Sequence, residues 1–438
     1  MNRLFPGCHA TWRPHSSYRI ILYCLLLLTR PADADTLEMQ QAIEIALSRD
    51  EELLALAADE QALRHQAGAD GQLPDPSLSV SAMNIPLDSG SLRQDNMTQL
   101  SVGVSQYFPP AGSRQLQTKT TALQADITAL ERQQRRAWLR MTVSELWLDN
   151  WQADRAIALI QQQRPLFEQL MDTVNSRYRQ AGGNGRQQDV LAARLALTRL
   201  DDRLAMLHSD ARQQQALLAR WLTDEVPAMA VANTLPATRP VPDAGQLARA
   251  ITRHPRLQIA NIRWQLADTR VALAEKAANP GWRLSASYGY RSDAPNGMAR
   301  SDLLSLGISI DLPRHRRRQP QLAAAQANRQ ADALDYPALH ATLQAEARQQ
   351  LASLQQLAER QQRYRQQLLP QLQQLADAAL AAYQHDNGSA SDVLNARIEL
   401  LNGHIDALAL SARYHKTLAR LDYYLDAGDP QENNNENR

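Results

Sequence analysis

Two periods alternate along this chain. Over Trp282, Leu284, Ala286, Tyr288 and Tyr290 the apolar residues fall at every second position, with Arg283, Ser285, Ser287 and Gly289 between them. Leu304, Leu306, Ile308, Ile310 and Leu312 do the same around Ser305, Gly307, Ser309 and Asp311. A period of two sends successive side chains to opposite faces, so each segment predicts a strand with one apolar and one small polar face. Leu100, Val102 and Val104 alternate with Ser101, Gly103 and Ser105, and Leu78, Val80 and Ala82 repeat the pattern more weakly. Elsewhere the pattern is helical. Helical stretches are predicted at about 37–72 and 246–279, very long ones at about 112–180 and 318–385, and last helices at 189–222 and 391–426. Ile398, Leu401, Ile405, Leu408, Ala412 and His415 alternate spacings of three and four, a seam for side-by-side coiled-coil packing. At 1.5 Å per residue, a rod of roughly 68 residues is about 100 Å long.

The order of elements occurs twice. Leu47-Ser48-Arg49 returns as Ile251-Thr252-Arg253, and Leu100 to Ser105 returns as Leu304 to Ser309, both 204 positions later. Asp189-Val190-Leu191-Ala192-Ala193-Arg194 returns as Asp392-Val393-Leu394-Asn395-Ala396-Arg397, and Tyr178 matches Tyr383. A near-constant offset over four blocks marks an internal repeat. The first copy is read at 35–223 and the second at 246–428. Between them the linker 224–245 carries Pro227, Pro236, Pro240 and Pro242, which exclude a helix interior. The tail 429–438 is polar and Asn-rich, a composition that predicts disorder.

The first 34 residues read as an export signal. Arg3, Arg13 and Arg19 precede the apolar run 20–28, and Ala32-Asp33-Ala34 is a cleavage sequence. Nine apolar residues are too few to span a bilayer, and no later segment has 18 in succession. Both cysteines, Cys8 and Cys24, fall inside this segment, so no disulfide or cysteine–zinc site is expected in the body. Leu22-Tyr23 before Cys24 are not the small residues of an acylation site. A strand with one apolar and one small polar face suits an outer membrane crossing; a half-buried hairpin on a soluble domain has the same pattern. Four strands are too few for a membrane barrel of one chain, and an open sheet in lipid leaves edges unpaired, so a membrane role requires several chains to share one barrel.

Composition narrows the function classes. With 47 basic and 46 acidic residues there is no general field for nucleic acid, and only 3 Phe in 438 residues argues against an aromatic-cored enzyme. Among the basic residues only Lys119, Lys276 and Lys416 are lysines. No HExxH, GxSxG or phosphate-loop sequence occurs, so no catalytic residues, metal or cofactor are expected. His404 and His415 share a helical face but stand about 16 Å apart, too far for one metal ion. Arg314-His315-Arg316-Arg317-Arg318, just after a strand, is read as facing water or a channel interior rather than RNA.

The duplicated order of helix, hairpin, long helix and helix, with a Tyr…Gly…Asp-Val-Leu break in each copy, closely resembles the TolC-like outer membrane factors over residues 36–428. The resemblance implies a mainly α fold with a small membrane β-barrel. Three protomers give four strands each to a 12-stranded barrel, and long coiled-coil helices form a trimeric α-barrel across the periplasm. It implies outer membrane lipid, a periplasmic adaptor and an inner-membrane RND-type transporter as partners. It places the linker at the tunnel's equator. Leu73-Pro74-Asp75-Pro76, Asn84 to Ser89, Met97-Thr98-Gln99 and Ser105 to Gly112 look most like the heavy-metal efflux branch, apart from Ala111 where that branch often has Pro. A drug-efflux or type I secretion channel would share the fold, and a soluble periplasmic coiled-coil protein is the reading from a different class.

The same resemblance assigns residues. Leu100, Val102, Val104, Leu284, Tyr288, Leu304, Leu306, Ile308 and Ile310 would face lipid. Gly182, Gly183, Gly185 and Asp189 at one break, and Gly388 and Asp392 at the other, would form the tips where the adaptor docks. Tyr383, Asp392 and Asn395 would line the periplasmic aperture. Family members hold that mouth shut with a Tyr, an Arg and two acidic residues. Here Gly388 stands at the Arg position and Asn395 at the second acidic one, so the latch is only partly present. Asp392 and Asp189 also suit helix N-caps, and the two roles are compatible.

Overall fold

The computed structural model describes residues 36–180, 187–222, 231–238, 240–313, 315–385 and 387–427. The expected export signal, Gly182, Gly183 and Gly185 of the first tip, and the expected disordered tail lie outside the described residues.

The first copy runs α1 (Met39–Arg49), α2 (Glu51–Asp70), β1 (Ser77–Met83), β2 (Gln99–Phe108), α3 (Ser113–Gln180) and α4 (Gln187–Ala219). The second runs α5 (Ala244–Arg253), α6 (Pro255–Lys276), β3 (Trp282–Tyr290), β4 (Leu303–Ile310), α7 (His315–Arg363), α8 (Leu369–Gln384) and α9 (Ala390–Leu425). The strands form one antiparallel sheet in the order β1-β2-β3-β4. Its central pairing, β2 with β3, joins the two copies.

The helix α3 is 68 residues long, with Pro165 inside it. Its counterpart is interrupted by one wide turn, Tyr364–Leu368, between α7 and α8. That turn immediately precedes Pro370, whose missing N–H and bulky ring break the regular ladder, so the helix widens there and continues. The long helices are lined by short ones. On α3, α1 and α2 pack along one half and α4 along the other, while α6 and α9 bridge from the second copy. The core is therefore several apolar clusters strung along the rods rather than one central mass. The largest gathers Trp147, Leu148 and Trp151 of α3 with Ala42 and Ala46 of α1, and with Leu37, Val231 and Ala232. The linker is tied there: Trp147 Nε1 donates to Leu37 O (2.8 Å) and Trp151 Nε1 to Asn233 O (3.2 Å).

Two expectations need correction. The predicted seam on α9 is one of two buried faces. Leu394, Leu401 and Ile405 meet α3 and α4, whereas Ala396 and Leu400 meet α8, and Leu410, Leu418 and Leu421 meet α5 and α7. The helix lies between the copies and is buried on both sides. The predicted stretches 37–72 and 246–279 are each two helices, parted at Asp50 and His254. These residues are 204 positions apart, like the other repeat pairs. Each is extended and caps the next helix: Leu53 N donates to Asp50 Oδ1 (2.8 Å) and Arg256 N to His254 Nδ1 (3.2 Å). The cause was present in the sequence as Asp50 ahead of two glutamates and as His254 ahead of Pro255, both helix-start signals.

Candidate functional site

The sheet register brings the small polar residues of all four strands together. One row is Ser77, Ser105, Ser285 and Gly307; the next is Ser79, Gly103, Ser287 and Ser305. On the opposite face the rows are Leu78, Val104, Ala286 and Leu306, then Val80, Val102, Tyr288 and Leu304. No strand slips phase, so the middle of one face is hydroxyl and glycine, with Gln99, Tyr107, Arg283, Met83 and Leu303 toward its ends, and the other face is hydrocarbon apart from Gln106.

Exposure runs opposite to that of a soluble sheet, with the hydrocarbon face outward. The hydroxyl face is the crowded one between the central strands. A Cβ added at Gly103 would stand 3.0 Å from Ser287 Cβ and 3.0 Å from Ser79 Oγ. On the central strands Ser101 is 7% exposed and Gly103 buried, while Ser77, Ser79, Ser305 and Ser309 on the outer strands are exposed; on the hydrocarbon face Val80 is 77%, Leu306 75% and Ile308 71% exposed. All nine strand residues expected to face lipid are on this exposed hydrocarbon face. Phe108 and Trp282 stack with centroids 4.1 Å apart where the sheet meets the helices, and Tyr288 and Tyr290 lie toward the opposite end. An apolar band bounded by aromatic rings at both ends fits the two interfaces of a bilayer. Among the described residues, the outer edges of β1 and β4 carry no further strand.

The hairpin loops 84–98 and 291–302 are clamped together by arginines that the sequence reading passed over. Arg93 Nε donates to Asp293 O (3.0 Å), and Arg300 donates to Asp95 O (3.0 Å) and to Asn96 Oδ1 (2.6 Å). These partners are about 200 residues apart, and a lone arginine in a polar loop carries no local signal of them.

At the other end, the residues expected at the tip separate. Asp392 and Asn395 are exposed, whereas Tyr383 is 7% exposed and packs against Val174, Ala390 and Val393. Arg177 of α3 lies over the Tyr383 ring, 4.3 Å from its centroid, and donates to Tyr383 O at 3.4 Å. This contact, also unforeseen, joins the ends of α3 and α8. Asp392 is not an N-cap. Ser389 is, and Asp392 is the third helical residue, with its carboxylate turned back to accept from Ser389 N (3.1 Å) and Ser389 Oγ (2.7 Å) while its own N–H donates to Ser389 Oγ (3.1 Å). This reciprocal arrangement is a capping box. Asp189 likewise lies within the first turn of α4, where an acidic residue favours the helix dipole. Gly388 fits a tight reversal: an added Cβ would be 3.1 Å from Ala382 Cβ and 3.2 Å from Tyr383 N. Asn387 N returns to Ala382 O (2.9 Å), satisfying one of the last carbonyls of α8.

Among the described residues, no group of His, Cys, Asp and Glu is placed to hold a metal ion, and no helix is long and apolar enough to cross a membrane. The arrangement offers a hydroxyl-rich surface, an exposed hydrocarbon surface and long helical rods.

Residues 247–426 match the family model described as outer membrane efflux protein. Among solved structures, the outer membrane protein VceC from Vibrio cholerae is similar, with a TM-score of 0.74 at 19% identity over 89% of this chain and 96% of that one. The Campylobacter jejuni CmeC outer membrane channel gives 0.74 at 14% identity over 91% and 88%. The open state of the Neisseria gonorrhoeae MtrE outer membrane channel gives 0.69 at 19% over 89% of each. No curated protein matches the chain. The fold is that of the TolC-like outer membrane channels, with long helices and a small antiparallel sheet.

Proposed function

We propose that three copies of this chain form an outer membrane channel, the passive exit duct of a tripartite efflux assembly. The observation that carries this reading is the inverted sheet, with its hydrocarbon face exposed on all four strands; closed into a barrel, that face would be the convex outer one and the hydroxyl face the concave inner one. Four strands cannot close on themselves, and in lipid each unpaired backbone group at an open edge costs several kcal/mol. Copies meeting β1 to β4 remove every edge and continue the hydroxyl face around a wet lumen. The rods then extend the tube through the periplasm toward an adaptor and an inner-membrane RND-type transporter, which supplies the energy. The tips that would meet the adaptor are the α3–α4 and α8–α9 reversals, with Asp189, Gly388 and Asp392 at their described parts. Tyr383, Asp392 and Asn395 are the residues proposed for the aperture, with Tyr383 acting from within the wall. The cargo proposed is heavy-metal cations, supported by the likeness of the Leu73–Pro76 and Asn84–Ser89 segments to that efflux branch.

The test is reconstitution of the purified chain in a planar bilayer, with the sensitivity of a deletion strain measured alongside. Stepwise conductance, and sensitivity to cobalt, zinc or cadmium in the deletion strain, are expected. Absence of channels overturns the duct, while sensitivity to organic drugs alone overturns the metal cargo and leaves the duct.

A further inference from the structure

The basic run after β4 is not used by the conduit, and its surroundings give it a partner. The exposed apolar face continues past the end of β4 at Ile310 to Leu312, which is 83% exposed and in phase with Leu304, Leu306 and Ile308. Arg316 and Arg317 follow within four or five residues and are both exposed. They form no ion pair among the described residues. Arg318, by contrast, is spent on structure, donating to Ala278 O at 2.8 Å and tying the start of α7 to the end of α6.

Three features point to an anionic partner here. Four and five residues of chain span at most about 14 and 18 Å, so the backbone of both arginines lies within that distance of the end of the hydrocarbon band. The Phe108–Trp282 stack marks that same end of the sheet. Charge is also unevenly divided between the two ends. Residues 66–76, 109–120, 273–281 and 311–320 carry seven basic against four acidic residues, four of the seven from this run itself, whereas the loops at the far end, 84–98 and 291–302, carry three against four. Inside α7 itself the arginines are poorly placed: the first turn holds no acidic residue, and positive charge at a helix start is disfavoured. A local rule broken without an internal partner marks a position selected for something outside the chain.

We propose that Arg316 and Arg317 bind the phosphates of anionic phospholipids in the membrane leaflet on the helical side of the sheet. This rests on the channel reading. In a trimer the pair recurs three times and forms a basic collar below the hydrocarbon band, fixing the depth at which the barrel sits. A guanidinium is suited to the task because its planar donors take a phosphate in two hydrogen bonds.

The test uses the full chain purified in detergent. Phosphatidylglycerol and phosphatidylcholine compete for it, and the lipid adducts are weighed by native mass spectrometry. Wild type should prefer phosphatidylglycerol, less so as salt is raised. In the Arg316→Gln/Arg317→Gln double variant that preference should fall on the order of 30-fold, as expected from about 1 kcal/mol for each basic residue at an anionic surface. Retention of the preference in the double variant overturns the proposal. So does an unchanged preference accompanied by altered ion selectivity in a bilayer, because the arginines would then face the lumen. A protein that stays in the aqueous fraction without detergent would defeat the channel reading itself, whereas a membrane-inserted channel indifferent to lipid charge defeats only the collar.

Discussion

The two copies of the repeat agree at the strands and differ at the pivots. Val102 and Leu306 are counterparts, and both stand apolar and exposed on the hydrocarbon face. In the proposed barrel their environment is set from outside the chain, by lipid that accepts only hydrocarbon. Asp50 and His254 are counterparts too, and both are buried helix caps, but their chemistry is opposite. Burial disfavours the charged form of Asp50. Hydrogen bonds from Arg135 (3.2 and 2.8 Å) and Leu53 N, with the charges of Arg135 and Arg220, outweigh it and hold the carboxyl below its usual value. Arg135 also lies over Trp138, 4.5 Å from the ring centroid. His254 is fully buried among Tyr423 and Tyr424, with ring centroids 5.0 and 6.0 Å away. Burial first, and then the charge of Arg256, push its imidazole down to about 4, so it caps α6 as a neutral ring. A duplicated unit keeps what the surrounding solvent dictates and diverges where the interior can supply either an ion pair or an aromatic cage.

Removing the partner of only one pivot should have the largest effect. Arg135→Met leaves the Asp50 carboxylate, 3% exposed, without its hydrogen-bonded counter-ion and with only the more distant charge of Arg220. A stranded buried charge of this kind costs roughly 3–5 kcal/mol. Chemical denaturation should register that loss, and Arg135→Met combined with Asp50→Asn should recover most of it, since a neutral amide still caps. A loss of similar size in both would show that Arg135 works by packing alone.

At the strands the copies should respond alike. Val102→Arg and Leu306→Arg each place a charge toward lipid at roughly 2–4 kcal/mol near the bilayer midplane, and both should impair outer membrane insertion. Ser101→Arg and Ser305→Arg point to the hydroxyl face. Ser305, exposed on the outer strand β4 where Ser101 is buried on β2, should tolerate the change better for insertion. Equal defects on both faces of β4 would reverse the assigned phase.

Acid should separate the pivots again. The folded state keeps His254 neutral down to about 4, while the unfolded chain takes up a proton near 6.5. Stability is therefore undiminished above pH 6.5 and falls as pH drops from 6.5 to about 4, by roughly 3 kcal/mol for each protomer. Asp50 has the depressed carboxylate pattern, so its contribution is present above the ordinary carboxylate value and is lost only in stronger acid. Hydrogen exchange at pH 5 should open α6 before α2, and His254→Asn should abolish the difference. Simultaneous opening of both would show that the pivots are not independent.

The smallest effect is expected at the tip. Asp392→Ala removes the reciprocal half of the capping box and should cost about 1 kcal/mol, read as faster exchange in the first turns of α9. A fall in cation selectivity on the same variant would add a role at the aperture. Unchanged exchange would remove the capping role.

How far the sequence carried depended on the range of the interaction. Strand phase, the 68-residue rod and the tandem order follow from periods of two and about 3.6 and from a fixed offset, all of them local or self-referential. The splits at Asp50 and His254 were also legible: Asp50 ahead of Glu51 and Glu52, and Pro255 after His254, are start signals inside a longer apolar pattern that masks them. The second buried face of α9 was not legible, because Leu410, Leu418 and Leu421 become core only once α5 and α7 fold back on them. The Arg177–Tyr383 contact and the arginine clamps of the loops span some 200 residues, and nothing near either partner in the chain announces the other.

If the inverted sheet is one third of a barrel, native mass measurement of the full chain, extracted from membranes with and without detergent, will show it. A particle of three chains, released only by detergent, is the predicted result. A single chain in the detergent-free aqueous fraction, stable with β1 and β4 unpaired, would contradict it.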